Sequence, residues 1–445
     1  MAKLPLIHGF GHDAIIGYRA GKAIRARSFL HDVSSVAGIL PDRRYVLNLC
    51  TDRYLFTVAF AAALVRGQVS LLPPNLTQDT LARLGRQYPD AYCLGEEGAC
   101  APALEHLVLP DLQGAGAEAL PIPLIPEARL AAIVFTSGST GQPVPHPKSW
   151  GCLVKGAGTE RGRIGSVLEP GTAVLGTVPP QHMYGLELTV TMSMQRGLAI
   201  HAGRPFYAAD ICAELASLPR PRILVTTPLH LRVVLAEEDE TPAADLLVCA
   251  TAPLSPQLAA EAEKRFSAPL YEVYGCTEGG QIATRRTVHS VEWRAIPGIA
   301  LRTDRGESWA RGAHIEGEIL LGDMLELRDR EHFVLHGRTA DLVNVAGKRT
   351  SLEYLNYHLN SIAGVRDGAF VLPVNDAQSV PRLMAFVVAP EISKDEIMKE
   401  LRQRVDPAFL PRPLCLVDAL PRNDTGKLPR QAVEEMMYGI SSEAG

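Results

Sequence analysis

The sequence predicts an α/β protein, built on a parallel sheet with flanking helices and divided into more than one domain. Strand-like and helix-like segments alternate through residues 1–130, the order that builds parallel sheets with helices on their faces. The chain has 445 residues, more than one hydrophobic core usually organises.

Tyr45–Leu49 reads as a strand and the alanine-rich Tyr54–Val65 as the helix after it. The most apolar stretch, Phe56–Val65, lies between Arg53 and Arg66. It is too short to cross a bilayer and reads as a buried helix. Val69–Leu72 is the next strand, closed by Pro73 and Pro74, and Gln78–Gln87 is a helix with Thr77 as N-cap. Residues 114–126, rich in Ala, Gly and Pro, form a connection. The apolar run Leu130–Phe135 is a buried strand. Arg222–Thr226 and Asp245–Ala250 are two more. Ser255 caps the following helix, with Pro256 at its first position, where no N–H is needed. Leu258, Ala262 and Phe266 share a face of that helix and read as core. Leu270–Tyr274, Gly317–Leu321 and Leu383–Val388 are strands. Ser393 and Glu396 form a capping box for an amphipathic helix in which Ile397, Leu401 and Val405 repeat every fourth residue.

Hydrophobic residues make up 47% and charged residues 21%, as in soluble globular proteins. A net charge of −5 argues against a nucleic-acid partner. Cys50, Cys93, Cys100, Cys152, Cys212, Cys249, Cys276 and Cys415 are scattered, with no Cys-x-x-Cys pair. That spacing argues against a zinc site or a disulfide framework and suits a reducing compartment. Residues Met1–Pro5 carry no signal-peptide pattern, so the expected location is cytoplasmic.

The chemistry gathers at Thr136, Ser137, Gly138, Ser139, Thr140, Gly141, Gln142 and Pro143, directly after the Leu130–Phe135 strand. Glycines let backbone N–H groups converge on an anion, and the hydroxyls add donors. The Gly-Lys-Ser/Thr ending of a Walker A loop is absent. Three motifs follow in order: Val273–Glu278, Gly337–Asp341 and Leu420–Lys427. Together these motifs resemble the adenylate-forming superfamily of acyl-CoA synthetases, peptide-synthetase adenylation domains and luciferases, over nearly the whole chain from Asp13 to Val433.

The resemblance implies a large N-terminal domain of parallel and mixed sheets, residues 1–337, and a small mobile α+β C-terminal domain, residues 338–445. It implies an ATP-dependent acid–thiol ligase that makes an acyl-adenylate and passes the acyl group to a phosphopantetheine thiol. Thr136, Ser137, Gly138, Ser139, Thr140 and Gly141 would hold the leaving phosphates. Glu278 would bind Mg²⁺, a hard cation suited to carboxylate oxygen. Tyr274, with Gly275 and Thr277 beside it, would stack on adenine, and Asp323 and Arg338 would hold the ribose. Lys427 would meet the charge that builds at the acyl oxygen and α-phosphate. His182, with Tyr184, would line or gate the acyl pocket, shaped also by Met183 and residues 250–252. Gly347 would leave room for pantetheine.

Two departures from the family pattern stand out. Val144 occupies the place of the usual lysine after the loop proline, and His146 and Lys148 are the candidates to replace that cation. Ala340 stands where relatives usually carry a polar hinge residue. The stretch between Glu278 and Asp323 is shorter than in most relatives, which points to a trimmed member. This trimming, together with Arg402, Arg404, Arg412 and Arg422, favours an acidic acyl carrier protein over free coenzyme A as acceptor. The competing readings are a non-catalytic nucleotide-binding protein and an adenylating enzyme with a non-thiol acceptor.

Overall fold

The computed structural model describes residues 2–96, 104–110, 112, 119–137, 143–158, 168–237, 240–338, 342–345, 348–372, 383–422, 428, 432 and 435–437. Among the described residues, two sheets dominate. The first has six strands in the order Pro143–Ser149, Leu130–Ser137, Val69–Leu72, Tyr45–Asn48, Ala91–Gly95 and His106–Val108. All its neighbours run parallel except the edge strand Pro143–Ser149, which is antiparallel. The strand predicted to stop at Phe135 runs on to Ser137, because Thr136 pairs with Val144 and Ser137 with Pro143. Thr136 and Ser137 are therefore strand residues rather than loop residues.

The second sheet has eleven strands. Its centre is parallel: Leu270–Cys276, Leu246–Cys249, Arg222–Thr226, Ala173–Gly176, Ala199–His201 and Ile15–Arg19 lie side by side. Antiparallel strands extend both ends, with Gly280–Arg285, Trp293–Ala295, His332–Arg338 and Asp323–Leu327 on the side of Leu270–Cys276.

Between the sheets runs the helix Arg53–Arg66, whose residues from Arg53 to Leu64 are all buried. A helix that is apolar on every side has no solvent face to present and belongs in the interior. Asp52 caps it by accepting from the Leu55 N–H, and Gly67 ends it in the left-handed region at φ +77°. Each fully buried Phe or Leu here contributes up to about 1.5–3 kcal/mol. Arg53 is completely buried at the start of this helix. Its guanidinium donates to the Thr189 hydroxyl at 3.0 Å and to the carbonyls of Gly176 at 3.0 Å, Gly203 at 2.9 Å and Val178 at 2.6 Å. Burial pushes its pKa down to about 9.

Ser255 caps the helix Pro256–Phe266 as predicted, accepting from Leu258 N. The buried stripe of that helix is Ala259, Ala262 and Phe266, while Leu258 packs partly buried against the same cluster. Beyond Gly337 the chain forms the hairpin Leu342–Val345 and Lys348–Ser351, the helix Leu352–Asn360, and a three-stranded sheet of Asp367–Val371, Met384–Val388 and Leu414–Leu416. The helix Lys394–Arg404 covers that sheet and starts with the predicted Ser393–Glu396 capping box. Val405 ends it in extended conformation yet stays buried, completing the apolar stripe. This small unit meets the large one through polar contacts. Arg232 lies 3.6 Å from Asp367, which also binds Arg422 through both oxygens at 2.7 and 2.8 Å. Gln257 donates to the Ser361 carbonyl at 3.2 Å.

Candidate active site

Two hairpins, one from each large sheet, build the centre of the site. The first joins Leu130–Ser137 to Pro143–Ser149. In the second, Thr277, Glu278 and Gly279 form the tight turn between Leu270–Cys276 and Gly280–Arg285, with Cys276 paired to Gly280. Gly280 sits at φ +71°, and a Cβ there would stand 2.3 Å from the buried Glu187 carboxylate. Only glycine fits both the backbone and the space.

Side chains from the first hairpin reach the second. His146 Nε2 lies 3.0 Å from the Thr136 hydroxyl and 3.8 Å from Glu278 Oε1. Lys148, only 3% exposed, donates to the Glu278 main-chain carbonyl at 2.5 Å. Burial lowers the His146 pKa, and the Glu278 charge opposes that shift. Burial also pushes the neighbouring Cys276 thiol up to about 12, with Glu278 adding to the rise. The Glu278 carboxylate itself is 45% exposed. The half-exposed Glu278 carboxylate, with the Thr136 hydroxyl linked to it through His146, supplies hard oxygen donors. These residues fit Mg²⁺, which is usually held by one or two carboxylates together with substrate phosphates.

Tyr274 precedes that turn on the same strand. Its hydroxyl donates to Asp323 Oδ2 at 2.8 Å. Its ring packs against Trp293 and Phe333 at centroid distances of 5.7 and 5.9 Å. Burial and then Asp323 hold the phenol well above its usual pKa. Tyr274 therefore braces Asp323, a contact that motif reading did not supply. Asp323 and Arg338 are Cα partners across adjacent strands, so their backbones lie side by side. The expectations for Gly138, Ser139, Thr140, Gly141, Gly347 and Lys427 lie outside the described residues, as do the side chains of Ser137 and Arg338.

Residues 40–322 of this chain match the family described as AMP-binding enzyme, and residues 359–427 match its C-terminal domain. The chain belongs to the AMP-binding enzymes.

This AMP-binding enzyme is 29% identical over 275 residues to a 4-coumarate–CoA ligase of Rhodobacter capsulatus, covering 62% of the chain and 67% of the relative. It is 21% identical over 347 residues to a 2-succinylbenzoate–CoA ligase of Staphylococcus epidermidis, covering 71% and 72%. Its fold superimposes on ATP-bound MatB from Rhodopseudomonas palustris with a TM-score of 0.81, at 20% identity and 96% coverage of each chain. The large and small units, and the assignment to the adenylate-forming superfamily, agree with the sequence reading.

In this AMP-binding enzyme the segment that carries His182 and Tyr184 packs beside the Gly280–Arg285 strand. His182 starts the short helix Met183–Gly185 and is half-buried. A Cβ on Gly185 would stand 2.0 Å from the Pro179 carbonyl, so this turn requires glycine. The Tyr184 hydroxyl is anchored to the carbonyls of Thr226 at 3.1 Å and Val248 at 2.9 Å. The chain then runs into a π-helical segment, Leu186–Thr191, a distortion that recurs at functional sites. In the loop over residues 250–252, Thr251 adopts φ +84°, strained for a non-glycine residue. Among the described residues no helix is long and apolar enough to cross a membrane.

Proposed function

We propose that this chain is an AMP-forming acid–thiol ligase. A carboxylate oxygen of the acid attacks the α-phosphorus of ATP, the bond to the β-phosphate oxygen breaks, and pyrophosphate leaves. A thiolate then attacks the acyl carbon, the bond to the AMP oxygen breaks, and AMP leaves. The observation that carries this reading is the approach of Thr136 and His146 from one sheet to Glu278 on the other, at the end of the strand on which Tyr274 holds Asp323.

In this reading residues 136–141 hold the β- and γ-phosphates, Asp323 accepts from the ribose hydroxyls, and Arg338 assists it. Tyr274 orients Asp323 and stacks on adenine. Glu278 holds Mg²⁺, which when bound neutralises phosphate charge. Lys427 meets the charge that builds at the α-phosphate and acyl oxygens. His182, Met183 and Tyr184 border the acyl pocket, and the segment with Gly347 lines the pantetheine channel. The division into residues 1–337 and 338–445 is part of the proposal. Gly337 sits at φ +90°, where a side chain would meet Ser351 and Glu353.

The names of the relatives support coenzyme A as the thiol and aryl acids as substrates. Of the arginines expected to steer a carrier protein, Arg404 is engaged by Glu400 and Arg422 by Asp367. Arg402 and Arg412 are exposed. The test is a panel of aryl and short acyl acids with ATP, read by pyrophosphate release, then by acylation of coenzyme A or a holo carrier protein at equal concentration. Nucleotide binding without pyrophosphate release for any acid would establish a non-catalytic binder instead.

A further inference from the structure

We infer that Lys148 is a positioning residue for the Glu278 turn, and not a substitute for the phosphate-facing lysine that Val144 replaces. The inference rests on the proposed ligase reading. Side chains two and four residues apart share one face of a strand, so Val144, His146 and Lys148 lie on one side of Pro143–Ser149. Val144 is 43% exposed at the end nearest the phosphate loop. His146 stands between the Thr136 hydroxyl and the Glu278 carboxylate. Lys148 extends from the edge of the six-stranded sheet to the hairpin turn of the other sheet, where its ammonium donates to the Glu278 carbonyl at 2.5 Å.

A buried ammonium needs fixed acceptors, because nothing else offsets its lost hydration. On the face of a solvated strand this lysine would extend into water and leave the turn alone. Here its direction is inward, and the group it grips is the main chain of the residue whose carboxylate faces the site. Fixing that carbonyl fixes the turn of Thr277, Glu278 and Gly279, and with it the direction in which the 45% exposed carboxylate points. Lys148 touches neither the nucleotide nor the reacting atoms in this arrangement. It acts through Glu278, and its removal should be felt in the metal-dependent part of nucleotide binding.

The experiment is calorimetric titration of ATP into the full chain, with Mg²⁺ and with EDTA, for the wild type, Lys148→Met and Lys148→Arg. For Lys148→Met we expect the gain in affinity from Mg²⁺ to fall about tenfold, the scale of one charged hydrogen bond. Affinity in EDTA should stay within about twofold of the wild type, and Lys148→Arg, which keeps a charged donor, should recover most of the gain. A Lys148→Met protein that keeps the full gain overturns the inference. So does one that loses affinity equally with and without metal, because that is the signature of general structural support. If Lys148→Met does not fold, Lys148→Gln is compared with Lys148→Arg in the same titration. Equal gains in those two overturn the inference, and a smaller gain in Lys148→Gln upholds it. A wild-type chain that binds no ATP overturns the ligase reading itself, whereas Mg²⁺-dependent binding indifferent to Lys148→Met overturns only the role of Lys148.

Discussion

The Tyr274–Asp323 contact offers a quantitative test of the nucleotide site. Tyr274→Phe removes one hydroxyl and leaves the ring packing on Trp293 and Phe333 in place. The lost bond is 2.8 Å long and ends on a carboxylate, and hydrogen bonds to charged groups contribute about 1.5–3 kcal/mol. Part of that is recovered when Asp323 finds water, so we expect the KM for ATP to rise about tenfold, equivalent to about 1.4 kcal/mol. Asp323→Ala removes the proposed ribose acceptor and also leaves the Tyr274 hydroxyl buried without its acceptor, so its effect should be larger, about 10- to 100-fold. Adding Tyr274→Phe to Asp323→Ala should then change little, because the bond is already gone. The coupling energy of this double-mutant cycle should be about 1–2 kcal/mol. The assay is acid-dependent pyrophosphate exchange at saturating acid, with ATP varied. Because burial and Asp323 raise the phenol pKa, the hydroxyl remains a donor below that value. The ratio of wild-type to Tyr274→Phe KM should therefore be flat over about pH 6–9. Effects that add to within about 0.5 kcal/mol would refute the brace, and an unchanged KM in Asp323→Ala would refute the ribose assignment.

Other expectations follow from the same geometry. Lys427→Ala should slow adenylation about 100- to 1000-fold, as expected for one preorganised donor. It should slow thiol attack on chemically made acyl-adenylate little, and Gly347→Trp should do the reverse. Equal slowing of both half-reactions by Lys427→Ala would argue against a change of site occupants between the steps. Chelation by EDTA should stop pyrophosphate exchange, and Glu278→Gln should raise the Mg²⁺ concentration needed for half-maximal exchange. Arg53→Met leaves the carbonyls of Gly176, Val178 and Gly203 without their charged donor. It should destabilise the large unit by about 3–5 kcal/mol, measured by urea unfolding.

Local signals exposed much of the fold. The strand Val69–Leu72 and the helices after Thr77, Ser255 and Ser393 stand where patterning and caps put them. Their determinants lie within a few residues of the element, so the sequence displays them. Long-range contacts were not visible in the same way. Lys148 and the Glu278 carbonyl are 130 positions apart, and no periodicity reports which sheet edge will face which turn. The end of the Leu130–Ser137 strand was misplaced because polar Thr136 and Ser137 look like loop until the antiparallel partner is known. Arg53 looked like a flanking charge, yet it is buried by the four residues whose oxygens it binds, all more than a hundred positions away.

Asp367 connects three parts of the chain. Arg422 grips it from within the small unit, five positions before Lys427, and Arg232 approaches it from the large one. If the residues after Gly337 turn against the rest, the Arg232 and Gln257 contacts must part while the Arg422 contact travels along. Arg422 would then travel as freight lashed to the rotating body. Of the two contacts on Asp367, the one that would separate is the longer, 3.6 Å against 2.7 Å. The same carboxylate would thus serve as a permanent cleat on one side and a mooring that slips on the other.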